Sequence, residues 1–140
     1  MTIHAKDLIN RPLKVVGETI TLKAVGDGEW SAFHLDAEKG GGPPLHTHPW
    51  EEAYVVTRGK LRVSQNGVIS DLGPGDSVTI PANCPHAYSA LEANTQVQVI
   101  FSSRRPVAFF RELHEVTDIP EVLRRAEAHE VVCVGGPVAA

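Results

Sequence analysis

Cysteine is scarce in this chain: Cys84 and Cys133 are the only two in 140 residues. Two cysteines make no disulfide framework of the kind that holds small secreted domains, so both read as reduced, partly buried thiols. Long apolar runs are also missing. No stretch approaches the roughly 20 residues that a membrane-spanning helix needs, and MTIHAKDLIN carries charges where a signal peptide would be apolar. There is no basic tract. Lys and Arg number 13 against 17 Asp and Glu, a formal charge of −4, which argues against nucleic acid or an anionic membrane surface as a partner. Internal repeats and low-complexity tracts are absent, and the chain has no room for a helix-turn-helix domain beside its strands. The expectation is one domain, residues 1–140, in a soluble cytoplasmic protein.

What is present in the first hundred residues is a series of short strand-like runs punctuated by glycine and proline. Ile20, Leu22 and Ala24 alternate with Thr19, Thr21 and Lys23, the pattern of a half-buried strand. EWSAFHLD follows a turn at Gly26-Asp27-Gly28, and EEAYVVTRG follows the bend at Pro43-Pro44. Gly59 turns the chain into KLRVSQ. Asn66-Gly67 then predicts a hairpin into VIS, because both central residues of a type I′ turn need positive φ. After the turn in LGPGD come SVTI, PHAYSA and TQVQVIFSS. Many short strands at this spacing predict an all-β sandwich or barrel.

The character changes at Arg104-Arg105-Pro106. PVAFFRELHE places Phe109, Phe110 and Leu113 on one helical face. A second helix has its start written out, with Asp118 as N-cap, Pro120 in the first turn and Glu121 three residues after the cap. Val122, Leu123 and Ala126 form its apolar stripe. One or two short helices over about 106–130 are thus expected as a flank on the β-core, with VVCVGGPVAA as an edge strand or a trailing end.

The chemistry concentrates in GGGPPLHTHPWEEAYVVTRG, from Gly40 to Gly59. Read as one strand, it puts His46, His48 and Glu52 on a single face. A third histidine, His86, lies in IPANCPHAYSA. Imidazoles and a carboxylate converging in this way suit iron, manganese, nickel, copper or zinc and disfavour calcium. Four protein ligands would leave an octahedral metal two open positions; a closed structural site would more often recruit cysteine. Parity adds Trp50, Tyr54 and Val56 to the ligand face, Tyr88 to that of His86, and Val97, Val99 and Phe101 to an interior face. Glu51 should face away, and Arg62 could bring a charge if it points inward. His4, His34, His114 and His129 receive no role.

These residues resemble the cupin superfamily. The first cupin motif, G-x5-H-x-H-x3,4-E-x6-G, is matched by Gly40, His46, His48, Glu52 and Gly59 at every spacing. The second, G-x5-P-x-G-x2-H-x3-N, is met by Gly75, Pro81 and His86, with Asn83 in place of the glycine and Ala90 in place of the asparagine. Asparagine tolerates the left-handed conformation, so the first departure is mild. The resemblance covers residues 18–103 or so; its short inter-motif segment, Lys60 to Pro74, is similar to that of compact microbial single-domain members, and the three-His-one-Glu set, the apolar pocket and the C-terminal FFREL helix resemble quercetinase-like monocupins. It implies a double-stranded β-helix, a jelly-roll-like barrel, with one divalent transition metal per chain on His46, His48, Glu52 and His86.

Function is less constrained, because fold does not choose an activity. The resemblance implies a dioxygenase acting on a small enolic or aromatic substrate. Glu52 would serve as ligand and proton acceptor, and Trp50, Tyr54, Tyr88 and Phe101 would form the substrate pocket. The alternative is a non-catalytic, metal-containing small-molecule binder. Val55 and its neighbours make the outer sheet face apolar, which predicts a homodimer.

Overall fold

The computed structural model describes residues 4–139; Met1–Ile3, which open the charged N-terminal stretch, and Ala140, which ends the C-terminal one, lie outside the described residues. The strands among them are β1 (Pro12–Val15), β2 (Glu18–Val25), β3 (Ser31–Ala37), β4 (His46–Thr47), β5 (Glu52–Arg58), β6 (Leu61–Gln65), β7 (Val68–Leu72), β8 (Ser77–Ile80), β9 (His86–Ala90), β10 (Thr95–Phe101) and β11 (Val132–Cys133). They form two antiparallel sheets. One has the order β1-β2-β3-β10-β5-β8, the other β11-β4-β9-β6-β7. The two-sheet, all-β architecture predicted from the strand spacing is what the chain adopts.

The sheets bury the expected faces. Alternation leaves Ile20, Leu22, Phe33, Leu35, Tyr54, Val56, Val97 and Val99 inside, each 6% exposed or less, where apolar area removed from water drives folding. Asn66 and Gly67 have φ of 49° and 84° and close the β6–β7 hairpin as predicted. Asn83 stands at φ 61°, so the asparagine in place of the motif glycine adopts the left-handed conformation it was expected to tolerate.

β1 was not expected. Its hairpin to β2 pairs Val15 with Glu18 across a two-residue turn in which Val16 and Gly17 both have positive φ, 33° and 79°. Only Gly17 is a turn signal in the sequence; the β-branched Val16 hides it, because such residues avoid that region.

The helices α1 (Arg105–Leu113) and α2 (Ile119–Ala128) lie where the sequence put them. The Asp118 side chain accepts a hydrogen bond from the Glu121 N–H, which is the predicted cap. α1 buries Phe109 and Leu113, and Phe110 packs edge-on against Phe33 of β3 with ring centroids 5.2 Å apart. β11 pairs with β4, so the C-terminal segment does add an edge strand. Among the described residues no helix is long and apolar enough to cross a membrane.

Candidate metal centre

His46, His48, Glu52 and His86 come together, each offering a ligand atom within 4.8 Å of the others. His46, His48 and Glu52 do not share one strand, however. His46 lies on β4 of the second sheet, directly opposite His86 on β9. Glu52 opens β5 of the first sheet, opposite Phe101 of β10. His48 sits between them, in the bend that carries the chain from one sheet to the other. Pro49 follows it, and a proline lacks the N–H that a continuous strand would use. The cluster therefore bridges the sheets, and the single-strand expectation is corrected although the grouping it implied is present.

Each imidazole is held the same way. His46 Nδ1 is 2.8 Å from the Pro44 carbonyl oxygen, His48 Nδ1 2.9 Å from that of Trp50, and His86 Nδ1 2.8 Å from that of Cys84. A carbonyl only accepts, so every ring carries its proton on Nδ1 and a neutral ring keeps its lone pair on Nε2. Two of those lone pairs face Glu52: His86 Nε2 lies 2.5 Å and His48 Nε2 3.1 Å from Oε1. Lone pair against carboxylate is repulsive unless a proton or a cation stands between them. The donor set thus fits a divalent transition metal, and fixing the tautomer through the distal nitrogen is how metal-ligating histidines are oriented.

The electrostatics show the same demand for positive charge, met here by protons on His48 and His86 where a metal would take their place. Burial, with the charge of His86 next, pushes the His46 imidazolium down to about 4, so His46 is neutral near pH 7. Burial raises the Glu52 carboxyl, but hydrogen bonds and charges from His48 and His86 outweigh it and hold the group well below the usual carboxylate range. Burial lowers His86, and the Glu52 hydrogen bond and charge outweigh that and raise it. Tyr54 donates to Glu52 Oε1 at 2.7 Å, so this anion is met from the apolar side as well.

The cluster opens on a cavity of about 190 Å³. Trp50, Tyr54, Tyr88 and Phe101, the four predicted pocket residues, all line it, while the fully buried His86 stands behind the wall. Trp50 stacks on His48 with ring centroids 4.9 Å apart, and the Arg105 guanidinium lies over it, 5.2 Å from a ring centroid. Its Nε1–H is buried without a hydrogen-bond partner among the described residues. Phe33, Phe109, Phe110 and Leu113 give apolar walls, and α2 brings the partly exposed Ile119 and Leu123 to the rim. No lysine or arginine is among the lining residues. Arg62 forms an ion pair with Asp71 on the surface, 2.8 Å from Nε to Oδ1, and does not face the cavity. Glu51 faces solvent as expected. Cys84 is half-buried and outside the donor cluster, whereas Cys133 is exposed rather than partly buried.

Sequence reasoning missed Glu18. It is buried, lines the cavity and accepts a hydrogen bond from Tyr88 Oη at 2.5 Å. The signal was available, because Glu18 shares strand parity with the buried Ile20 and Leu22. Burial pushes its carboxyl up to about 7; the Tyr88 hydrogen bond opposes this and the Glu52 charge adds to it. Between about pH 4.5 and 7 the folded chain holds this proton and the unfolded chain has released it. Stability therefore falls as pH rises through that window, by roughly 3 kcal/mol at 1.36 kcal/mol per unit. Glu18→Gln is expected to remove that descent: thermal melts at pH 5 and pH 8 should lose more between the two for the wild type than for the variant. Equal losses would contradict the assignment.

A family model described as Cupin domain matches residues 33–102, half of the chain. No curated protein matches it. Among solved structures, KdgF from Halomonas sp. is 25% identical, with 63% of this chain and 80% of that one covered and a TM-score of 0.59. An RmlC-like cupin from Shewanella frigidimarina is 21% identical over 66% of this chain and 86% of its own, with a TM-score of 0.57. Oxalate decarboxylase from Bacillus subtilis, a protein with Mn(II) centers, is 22% identical, with 66% of this chain and 27% of that one covered and a TM-score of 0.59. The matched segment runs from β3 through β10 and contains all four residues of the cluster, and on that match the chain belongs to the cupin family.

Proposed function

We propose that this cupin is a metal-dependent dioxygenase of small enolic or aromatic compounds, with His46, His48, Glu52 and His86 holding one divalent transition metal. The observation that supports this reading best is the pairing of a four-donor cluster with an apolar cavity that no basic side chain lines. When bound, such a metal supplies a Lewis acid for a substrate oxyanion and an electron relay for dioxygen. The chain's own residues do the rest. Apolar walls exclude water and favour an uncharged substrate over a dianion such as oxalate. Trp50 and the Trp50 carbonyl fix the His48 ring from two directions. Glu52 takes the substrate's proton, while the Tyr54 hydroxyl donates to its Oε1 and holds the carboxylate in place.

Size narrows the substrate class. A cavity on the order of 150 Å³ accommodates a benzene ring, so about 190 Å³ fits one ring or a short β-diketone. The reading includes a homodimer, since Ile100, 45% exposed, and the half-buried Val55 leave apolar surface on the outer face of the larger sheet. A non-catalytic binder is the second reading. It draws support from Glu52 itself, because a carboxyl held well below its usual range is a good anionic ligand and a weak base.

Oxygen uptake separates the two. Protein loaded in turn with iron, manganese, nickel and copper should consume oxygen with single-ring catechols, enediols or β-diketones in preference to flavonols. Silence across that panel with every metal would favour the binder.

A further inference from the structure

Two features that folding alone does not favour meet at the β1–β2 hairpin. Val16 is a β-branched residue at φ 33°, a conformation that such residues avoid. Two residues on, Glu18 is a carboxyl 8% exposed, among apolar side chains, with no cation partner among the described residues. Strain and unpaired burial of this kind concentrate where a site needs them. The hairpin fixes where Glu18 goes: Val16 and Gly17 close the turn, and Val15 pairs with Glu18 at its base.

Tyr88 holds one of the two carboxyl oxygens, Oε2, at 2.5 Å. Among the described residues the other oxygen makes no hydrogen bond, and Glu18 lines the same cavity as His46, His48 and Glu52. Tyr54 joins the two polar points: its hydroxyl bonds Glu52, and its ring meets that of Tyr88 edge-on at 5.3 Å. The walls between are apolar. The cavity therefore has two polar poles, the metal cluster and a hydrogen-bond acceptor that has capacity to spare.

We propose that Glu18 is a substrate-recognition residue, whose free carboxyl oxygen accepts the O–H of an uncharged phenol or enol lying in the cavity. The inference rests on the reading of this cavity as a small-molecule site and does not depend on oxygenation. Once ionised, Glu18 would meet an anionic ligand as a like charge, with no lining lysine or arginine to compensate. A methylated oxygen would shut water away from the free oxygen without supplying a donor, the error that polar sites reject most strongly.

Binding to the zinc-loaded protein tests this without turnover. Phenol, catechol, anisole and benzoate are titrated by calorimetry at about pH 8, where the Glu18 carboxyl is ionised, into the wild type and into Glu18→Leu, with folding of the variant checked by circular dichroism. The wild type is expected to bind phenol and catechol about tenfold or more tighter than anisole, and benzoate more weakly than phenol. Glu18→Leu should narrow the gap between phenol and anisole by about tenfold, mainly by weakening phenol. The wild-type comparison stands even where the variant fails to fold. Equal binding of phenol and anisole to the wild type would overturn the inference alone, as would a preference for phenol that survives in folded Glu18→Leu. Failure of all four probes to bind at millimolar concentration would overturn it together with the small-molecule reading.

Discussion

Replacing both His48 and His86 by alanine is expected to reduce metal content from about one ion per chain to near zero. The two Nε2 atoms are those that face Glu52 Oε1, at 3.1 and 2.5 Å, so the double variant leaves only His46 and Glu52 of the four donors. Losing one outer hydrogen-bond partner of a metal ligand commonly costs 10–100-fold in affinity. Losing two ligands outright should cost well over about a hundredfold. The measurement is elemental analysis of metal-loaded, desalted protein against the wild type. His86 is fully buried, so circular dichroism must first show that the variant folds. A folded double variant that retains one ion per chain would remove the site from these residues.

Glu52→Gln is expected to keep a weakened metal site yet lose turnover by roughly a hundredfold or more, the scale assigned to one general base. Glutamine preserves the shape and one oxygen. It removes the negative charge and the basicity, and it gives the Tyr54 hydroxyl a neutral acceptor in place of an anionic one. Oxygen uptake is compared per bound metal, so that altered occupancy is not mistaken for altered chemistry. A loss smaller than about tenfold would show that Glu52 is not the proton acceptor. A structural metal predicts a lower melting temperature for the variant and no activity in either form.

The sequence carried the cluster more clearly than the path of the backbone through it. Spacing alone grouped His46, His48 and Glu52, but it read one strand where the chain crosses between sheets at His48–Glu51. Period-two parity assigns a face without saying which sheet a residue belongs to, and the bend at Pro49 breaks the strand without spoiling that parity. Tyr54, Tyr88 and Phe101 were legible because they share faces with Glu52, His86 and Val99. Asn66-Gly67 and Asp118 were legible because turn and cap chemistry is local. β1 was not, since Val16 occupies a turn position where asparagine or glycine would be the signal. Glu18 was overlooked for a related reason: a glutamate beside a glycine reads as a solvated strand end, and only the buried run of Ile20 and Leu22 shows that its face is inward. The role of α2 as a rim over the cavity depends on tertiary packing of Ile119 and Leu123, which no local pattern encodes.

X-ray absorption spectroscopy of the metal-loaded protein tests the metal centre most directly. Three histidines held through Nδ1 and one carboxylate predict a shell of nitrogen and oxygen donors with the multiple scattering of three imidazoles. A sulfur scatterer, which for zinc would lie at about 2.3 Å, or a shell with fewer than three imidazoles, would contradict it.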